Sequence, residues 1–392
     1  GFDASESLVP VDYMMSATNG SHRIASSIFH RKEIHIETSD ISRHIYDYKF
    51  FRTRGFSESE LDVLALTYTR YAKTPFVAVI WPRAEYKRED LSKFFPNIYY
   101  QKEVVLSPFG LRELIRVCYQ DEKWLGSTEK INSGLSYKTE LCKGSTDTVI
   151  LVFFDSKSKR EVLKLKDRFR DHFKKGKHSI HITDSKEEAV RVSKSVLNQN
   201  SLHLLNYRRE STLPNFQDQI LKLKKMVEDK KIDVEYFVID GGASLAAYGL
   251  RDSSDIDIIA KSEISILKKD EISDHSDQLF WHGKSREELM FNPKFHYYFR
   301  NFKFVSLEAV KQMKKNRAEV KDRRDVVLIE KNLKSVSQKK YGLYILEIRN
   351  IAFFTAMRFF LISKQKTFEL LKFIRLYNYF RYVYRKYIKT NG

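Results

Sequence analysis

Residues 239–259 read Ile239-Asp240-Gly241-Gly242-Ala243-Ser244-Leu245-Ala246-Ala247-Tyr248-Gly249-Leu250-Arg251-Asp252-Ser253-Ser254-Asp255-Ile256-Asp257-Ile258-Ile259. An apolar strand enters a glycine pair, and an Asp-x-Asp set follows inside a second apolar strand. Aspartates two residues apart project from one strand face, so Asp255 and Asp257 can share a metal ion while Ile256, Ile258 and Ile259 bury the strand. Mg²⁺, or Mn²⁺ in its place, is the expected ion because it prefers hard oxygen ligands. Gly241 and Gly242 let the backbone approach a phosphate closely. The helix after them offers free N–H groups, and Ser244 adds a hydroxyl. These parts suit in-line attack on a nucleotide α-phosphorus, with a metal on the phosphate oxygens. Asp-Ser-Ser-Asp is also a good turn sequence. The weight lies in the combination of glycine pair and Asp-x-Asp at this spacing between apolar strands.

The glycine pair, twelve intervening residues and Asp255-Ile256-Asp257 resemble the signature of the DNA polymerase β-type nucleotidyltransferase superfamily. The resemblance spans roughly residues 200–330. It implies a mixed sheet with flanking helices, Asp255 and Asp257 as catalytic metal ligands, and Gly241, Gly242 and Ser244 on the triphosphate of an NTP substrate. The family usually carries a third carboxylate on a later strand. Here the strand-like stretch 295–305 has no acid, and Asp274, Asp277 and Glu308 lie outside its register. From Leu307 to Lys321 the pattern is helical. Lys314, Arg317 and Lys321, three and four apart, share a face of that helix. Arg317 and Lys321 are equally candidates for contact with a triphosphate or an anionic acceptor and for intrahelical ion pairs. For Asp322 and Asp325, intrahelical ion pairs are the plainer expectation.

Outward from this centre, Tyr236–Asp240 and Ile256–Ala260 are expected strands, and 214–230 an amphipathic helix. Upstream, Phe76–Trp81 and Thr148–Phe154 are buried-strand patterns. Leu106-Ser107-Pro108 opens a helix to about Tyr119, and 157–175 is a basic helix. His178–Thr183 alternates like a strand, and Asp184 with Glu187 fits a capping box. His178 and His181, three apart, would leave opposite strand faces, which disfavours a shared metal. Asn198, Asn200, His203 and Asn206 fit structural and functional roles equally. Residues 126–146 are polar and read as a linker or mobile loop. Near the start, Asn19-Gly20-Ser21-His22-Arg23 resembles the Asp-Gly-x-His-Arg segment of the ParB/sulfiredoxin-like fold, over about residues 8–37. The resemblance implies a second phosphate site on Gly20, His22 and Arg23; a capped helix with two exposed bases is the plain alternative. Gly1-Phe2-Asp3 reads as a point inside a longer protein.

The expected class is α/β (α+β mixed), divided as 1–125, 146–210, a nucleotidyltransferase-like domain at 211–335 and a basic aromatic helical tail at 336–392. Two cysteines, without CxxC or zinc spacing, suit a reducing compartment, and cytoplasmic placement is expected. The formal net charge is +19, of which residues 331–392 supply +12 through 14 Lys/Arg against Glu347 and Glu369. Fourteen Phe/Tyr interleave with these cations over 341–387. Three roles stay open for the tail: a helical cap, docking to an anionic membrane surface through 341–389, and stacking on single-stranded nucleic acid. The leading expectation is an NTP-dependent nucleotidyltransferase acting on a sugar, sugar phosphate or polyol phosphate in surface polysaccharide assembly. Its rivals are nucleotide addition to RNA or DNA, and an inactive nucleotide-binding scaffold.

Overall fold

A computed structural model gives the structure. It describes residues 8–337, apart from 13, 14, 16, 39–46, 86–90, 96, 126–133, 210 and 262–271, and side chains as far as 333. The aromatic tail expected at 336–392 lies, from residue 338 on, outside the described residues. The chain is mixed α/β and divides into two compact units, 1–54 and 55–392.

The first unit holds β1 (Val9–Val11), α1 (Ser21–His30), β2 (Ile36–Thr38) and α2 (Tyr48–Thr53), with β1 and β2 parallel. Gly20 starts α1 at φ 88°, left-handed backbone that glycine adopts freely.

The second unit is built on two sheets. The first is formed by β3 (Pro75–Ile80), β4 (Ile98–Val105), β5 (Thr148–Asp155) and β6 (Ile180–Ile182), in the antiparallel order β4-β5-β3-β6. Around it lie α3 (Glu58–Tyr71), α4 (Pro108–Tyr119), α5 (Gly134–Cys142), α6 (Lys159–Phe173) and α7 (Lys186–Val196). Phe76, Ala78 and Ile80 share a core with Val162 and Phe169 of α6, while Val77 and Val79 are buried on the other face. Both faces of β3 are therefore covered, which accounts for its unbroken apolar run.

Three expectations change here. The regions 1–125 and 146–210 are not separate domains, because strands from both pair in one sheet and 1–54 stands apart. Within 126–146, residues 134–142 form α5, whose Leu135 and Cys142 are buried, so that stretch is no plain linker. The cap of α7 also moves by one residue. Ser185 accepts from Glu188 N, because the Glu188 carboxylate is held by Asp184 N and by His181.

The second sheet runs β10-β11-β7-β8-β9, from β7 (Phe237–Asp240), β8 (Ile256–Ala260), β9 (Ile272–Asp274), β10 (His296–Phe299) and β11 (Phe302–Val305). The single stretch expected at 295–305 is a hairpin, turned at Arg300 (φ 49°) and Asn301 (φ 70°), as a two-residue primed turn requires. β7 pairs antiparallel with β8 and parallel with β11, so the sheet is mixed. α8 (Gln199–Tyr207), α9 (Pro214–Asp229), α10 (Gly241–Ala247), α11 (Leu279–His282), α12 (Arg286–Phe291), α13 (Leu307–Arg317) and α14 (Val320–Ser337) complete it. The helix expected over 307–321 stops at Arg317, where Ala318 turns left-handed at φ 59°. Among the described residues no helix is long and apolar enough to cross a membrane.

Candidate functional site

The antiparallel register of β7 and β8 sets Asp240 directly opposite Asp257. Like charges at such a position repel. A histidine lies between them. His275 Nδ1 is 3.2 Å from Asp240 Oδ2, and its Nε2 is 3.5 Å from Asp257 Oδ2. His282, buried on α11, brings Nε2 to 2.9 Å from the same Asp240 oxygen. Burial alone would lift Asp240, but the His282 and His275 rings outweigh it and hold the carboxyl far below its ordinary range. Burial raises Asp257; His275 opposes this, while the charges of Asp255 and Asp240 add to it. Burial would lower His275, yet the hydrogen bond to Asp240 and the charges of Asp240, Asp257 and Asp277 leave it raised.

The glycine turn packs against the same carboxylate. Gly241 sits at φ 64°, and a Cβ there would lie 2.7 Å from Asp257 Oδ2. A Cβ on Gly242 would come within 3.0 Å of the Arg251 guanidinium and of Ser253 Oγ. Both positions exclude a side chain, for different neighbours. Asp255, just ahead of β8, is exposed, while Asp257 is half-buried. Behind the turn, Arg251 grips Asp325 at 2.7 and 2.8 Å. Lys314 Nζ lies 2.9 Å from both Asp322 and Asp325, and Arg317 reaches Asp322 at 2.8 and 2.9 Å.

Several expected residues fall elsewhere. Ser244 is fully buried, and its hydroxyl points to Ile239 O at 3.4 Å, so it does not face a triphosphate. Arg317 is taken up by Asp322 and Gln278. Lys321 stands on α14, 72% exposed beside Glu319, so it shares no helix face with Lys314 and Arg317. Asp322 and Asp325 are buried, and their partners Lys314, Arg317 and Arg251 lie outside α14, which replaces the intrahelical pairs expected. Asp274 accepts from Ser276, and Glu308 pairs with Lys311. Neither supplies a third acid.

In the first unit, Gly20 and Arg23 do meet, since a Cβ on Gly20 would touch the guanidinium at 3.3 Å. Arg23, however, donates to Leu8 O, and His22 is exposed. His181 is a core histidine, 2.7 Å from Glu188 and edge-on to Tyr119. His178 precedes β6, so the pair does not share that strand. Asn198 caps α8, Asn200 donates to Pro293 O, Asn206 accepts from Ser107 N, and the His203 ring meets Tyr248 Oη. These four have structural roles.

Sequence reasoning missed Asp240, His275 and His282. Asp240 was open to it, as the strand residue immediately before the glycine pair. The histidines carry no local signal, because only the fold brings them to β7.

A divalent cation is tested by the donor set itself. Among the described residues no three His, Cys, Asp or Glu side chains form a ready cage. Asp255 and Asp257 supply two hard oxygens, and the buried Asp240 Oδ1 beside them has no hydrogen-bond partner. Asp255 and Asp257, whose charges repel, fit a cation that takes its remaining oxygens from a ligand, while Asp240 is already held by His275 and His282. No family model, no curated protein and no solved structure matches the chain.

Proposed function

We propose that the chain is a Mg²⁺-dependent nucleotidyltransferase of the polymerase β type. The observation that carries this is the packing of the Gly241–Gly242 turn onto Asp257, in a strand–glycine turn–helix–strand unit. The Gly241 and Gly242 amides bind the nucleotide phosphates. Asp255 and Asp257 hold the ion, which when bound neutralises phosphate charge and orients the attacking oxygen. His275 positions Asp257 and screens it from Asp240. The Arg251–Asp325 pair fixes the back of the turn. The acceptor is a sugar, sugar phosphate or polyol phosphate, an assignment that rests on the multidomain arrangement rather than on a residue. The basic aromatic tail docks to an anionic membrane face.

A second function, nucleotide binding without transfer, is favoured by one observation. β11, which flanks β7, presents Phe302, Lys303, Phe304 and Val305 and no carboxylate. The Asp255→Asn, Asp257→Asn double variant decides between them. Loss of Mg²⁺-dependent NTP stabilisation together with loss of pyrophosphate release supports transfer. Loss of stabilisation in a protein that never released pyrophosphate supports binding alone. Unchanged NTP stabilisation would sink the site.

A further inference from the structure

A cavity of about 300 Å³ opens between α4, α7, α8 and the β10–β11 turn. It is separate from the glycine turn. Arg208, on its wall, donates Nε to Ala247 O at the C-terminal end of α10, 3.2 Å away, whereas Gly241 and Gly242 begin that helix.

The lining is strongly cationic, with Arg116, Arg191, Lys194, Arg208 and Arg300. Glu113 is the one carboxylate among the described lining residues, and it forks between Arg116 and Arg208 at 3.2 Å each. Asp121, 3.0 Å from Arg191, stands outside and is 74% exposed. Glu235, 2.8 Å from Lys194, is shared with Lys303 and Arg70. Among the described residues the lining therefore keeps an excess of positive charge. Among the described residues no carboxylate lies within ion-pair reach of Arg300. Burial, then the neighbouring Arg208 and Arg116, push its guanidinium below the ordinary arginine range.

Arg300 also occupies a left-handed turn position that Asn or Gly would fill with less strain. From there its guanidinium lies 5.4 Å from the Phe299 ring centre, and that of Arg208 lies 5.0 Å from the same ring. Leu125, Leu204 and Leu205 add an apolar wall. Forked guanidiniums match the planar oxygen pairs of phosphate, and the volume is that of a small ligand site.

We propose that this cavity binds a phosphorylated small molecule, with the phosphate between Arg116, Arg208 and Arg300 and the apolar body against Leu204 and Phe299. The site is independent of the nucleotide site and goes beyond it. The test is calorimetry and thermal shift on the full chain, without divalent cation, using phenyl phosphate, inorganic phosphate and benzoate as probes. Phenyl phosphate is expected to bind saturably and raise Tm, with the other two about tenfold weaker or more. Arg300→Asn keeps the turn, and Arg116→Gln removes a second fork. Each is expected to weaken phenyl phosphate about tenfold or more, the loss of a charge-assisted hydrogen bond. The Asp255→Asn, Asp257→Asn chain should bind it as the wild type does, so failure here and failure of the nucleotide site are distinguishable. No saturable binding, binding indifferent to both arginine variants, or loss in the aspartate variant would each overturn the proposal. Benzoate binding as tightly as phenyl phosphate would overturn the phosphate assignment.

Discussion

At the residue scale, Gly241 and His296 show how little room the fold leaves. Gly241→Ala forces a side chain into left-handed backbone and onto Asp257 Oδ2. The substitution should cost about 1–3 kcal/mol, seen as a lower urea midpoint, and should abolish NTP stabilisation. His296 is buried, and burial, reinforced by Lys303, pushes it down to about 3 from an ordinary 6.5. The folded chain therefore keeps this ring neutral where the unfolded chain protonates it. Its contribution is complete above pH 6.5 and is lost as pH falls from there toward 3, at about 1 kcal/mol per unit. Urea unfolding between pH 6.5 and 5, above most carboxylate titrations, should show this slope in the wild type and a flatter one in His296→Gln.

Elements are legible to different depths. The α4 start, written Leu106-Ser107-Pro108, is explicit: Ser107 accepts from Gly110 N, and Pro108 occupies the first turn. Ser107→Ala should cost about 1 kcal/mol in thermal or urea unfolding. The α13–α14 joint is not legible. Lys314 and Arg317 follow helical spacing, and nothing local announces that Ala318 ends the helix. What ends it is ionic. Lys314, 3% exposed, needs two buried carboxylates, and folding α14 back supplies Asp322 and Asp325. Lys314→Met would leave Asp322 to Arg317 alone and Asp325 to Arg251 alone. It should cost about 1–3 kcal/mol in urea unfolding, the loss of charged hydrogen bonds in a buried place and more than an exposed ion pair contributes.

For the whole molecule, charge is the clearest sequence-level property. Residues 331–392 carry +12 among interleaved aromatics, a pattern that suits an anionic surface. Sedimentation with vesicles of anionic lipid should be strong at low salt, weaken as salt rises, and disappear on truncation after residue 337. Binding to neutral vesicles alone would contradict it.

What the sequence determined by itself were local things: the apolar strands, the serine caps, and the glycine pair and Asp-x-Asp of the candidate site. Each follows from neighbours within a few residues, through backbone conformation and side-chain alternation. Tertiary structure decided the rest. It joined 75–105 to 148–182 in one sheet, turned Ser244 inward, and set His275 and His282 on Asp240. Strand register and the pairing of buried charges depend on which distant segments meet. That choice is made by burying the whole apolar surface at once, and no short stretch of chain encodes it.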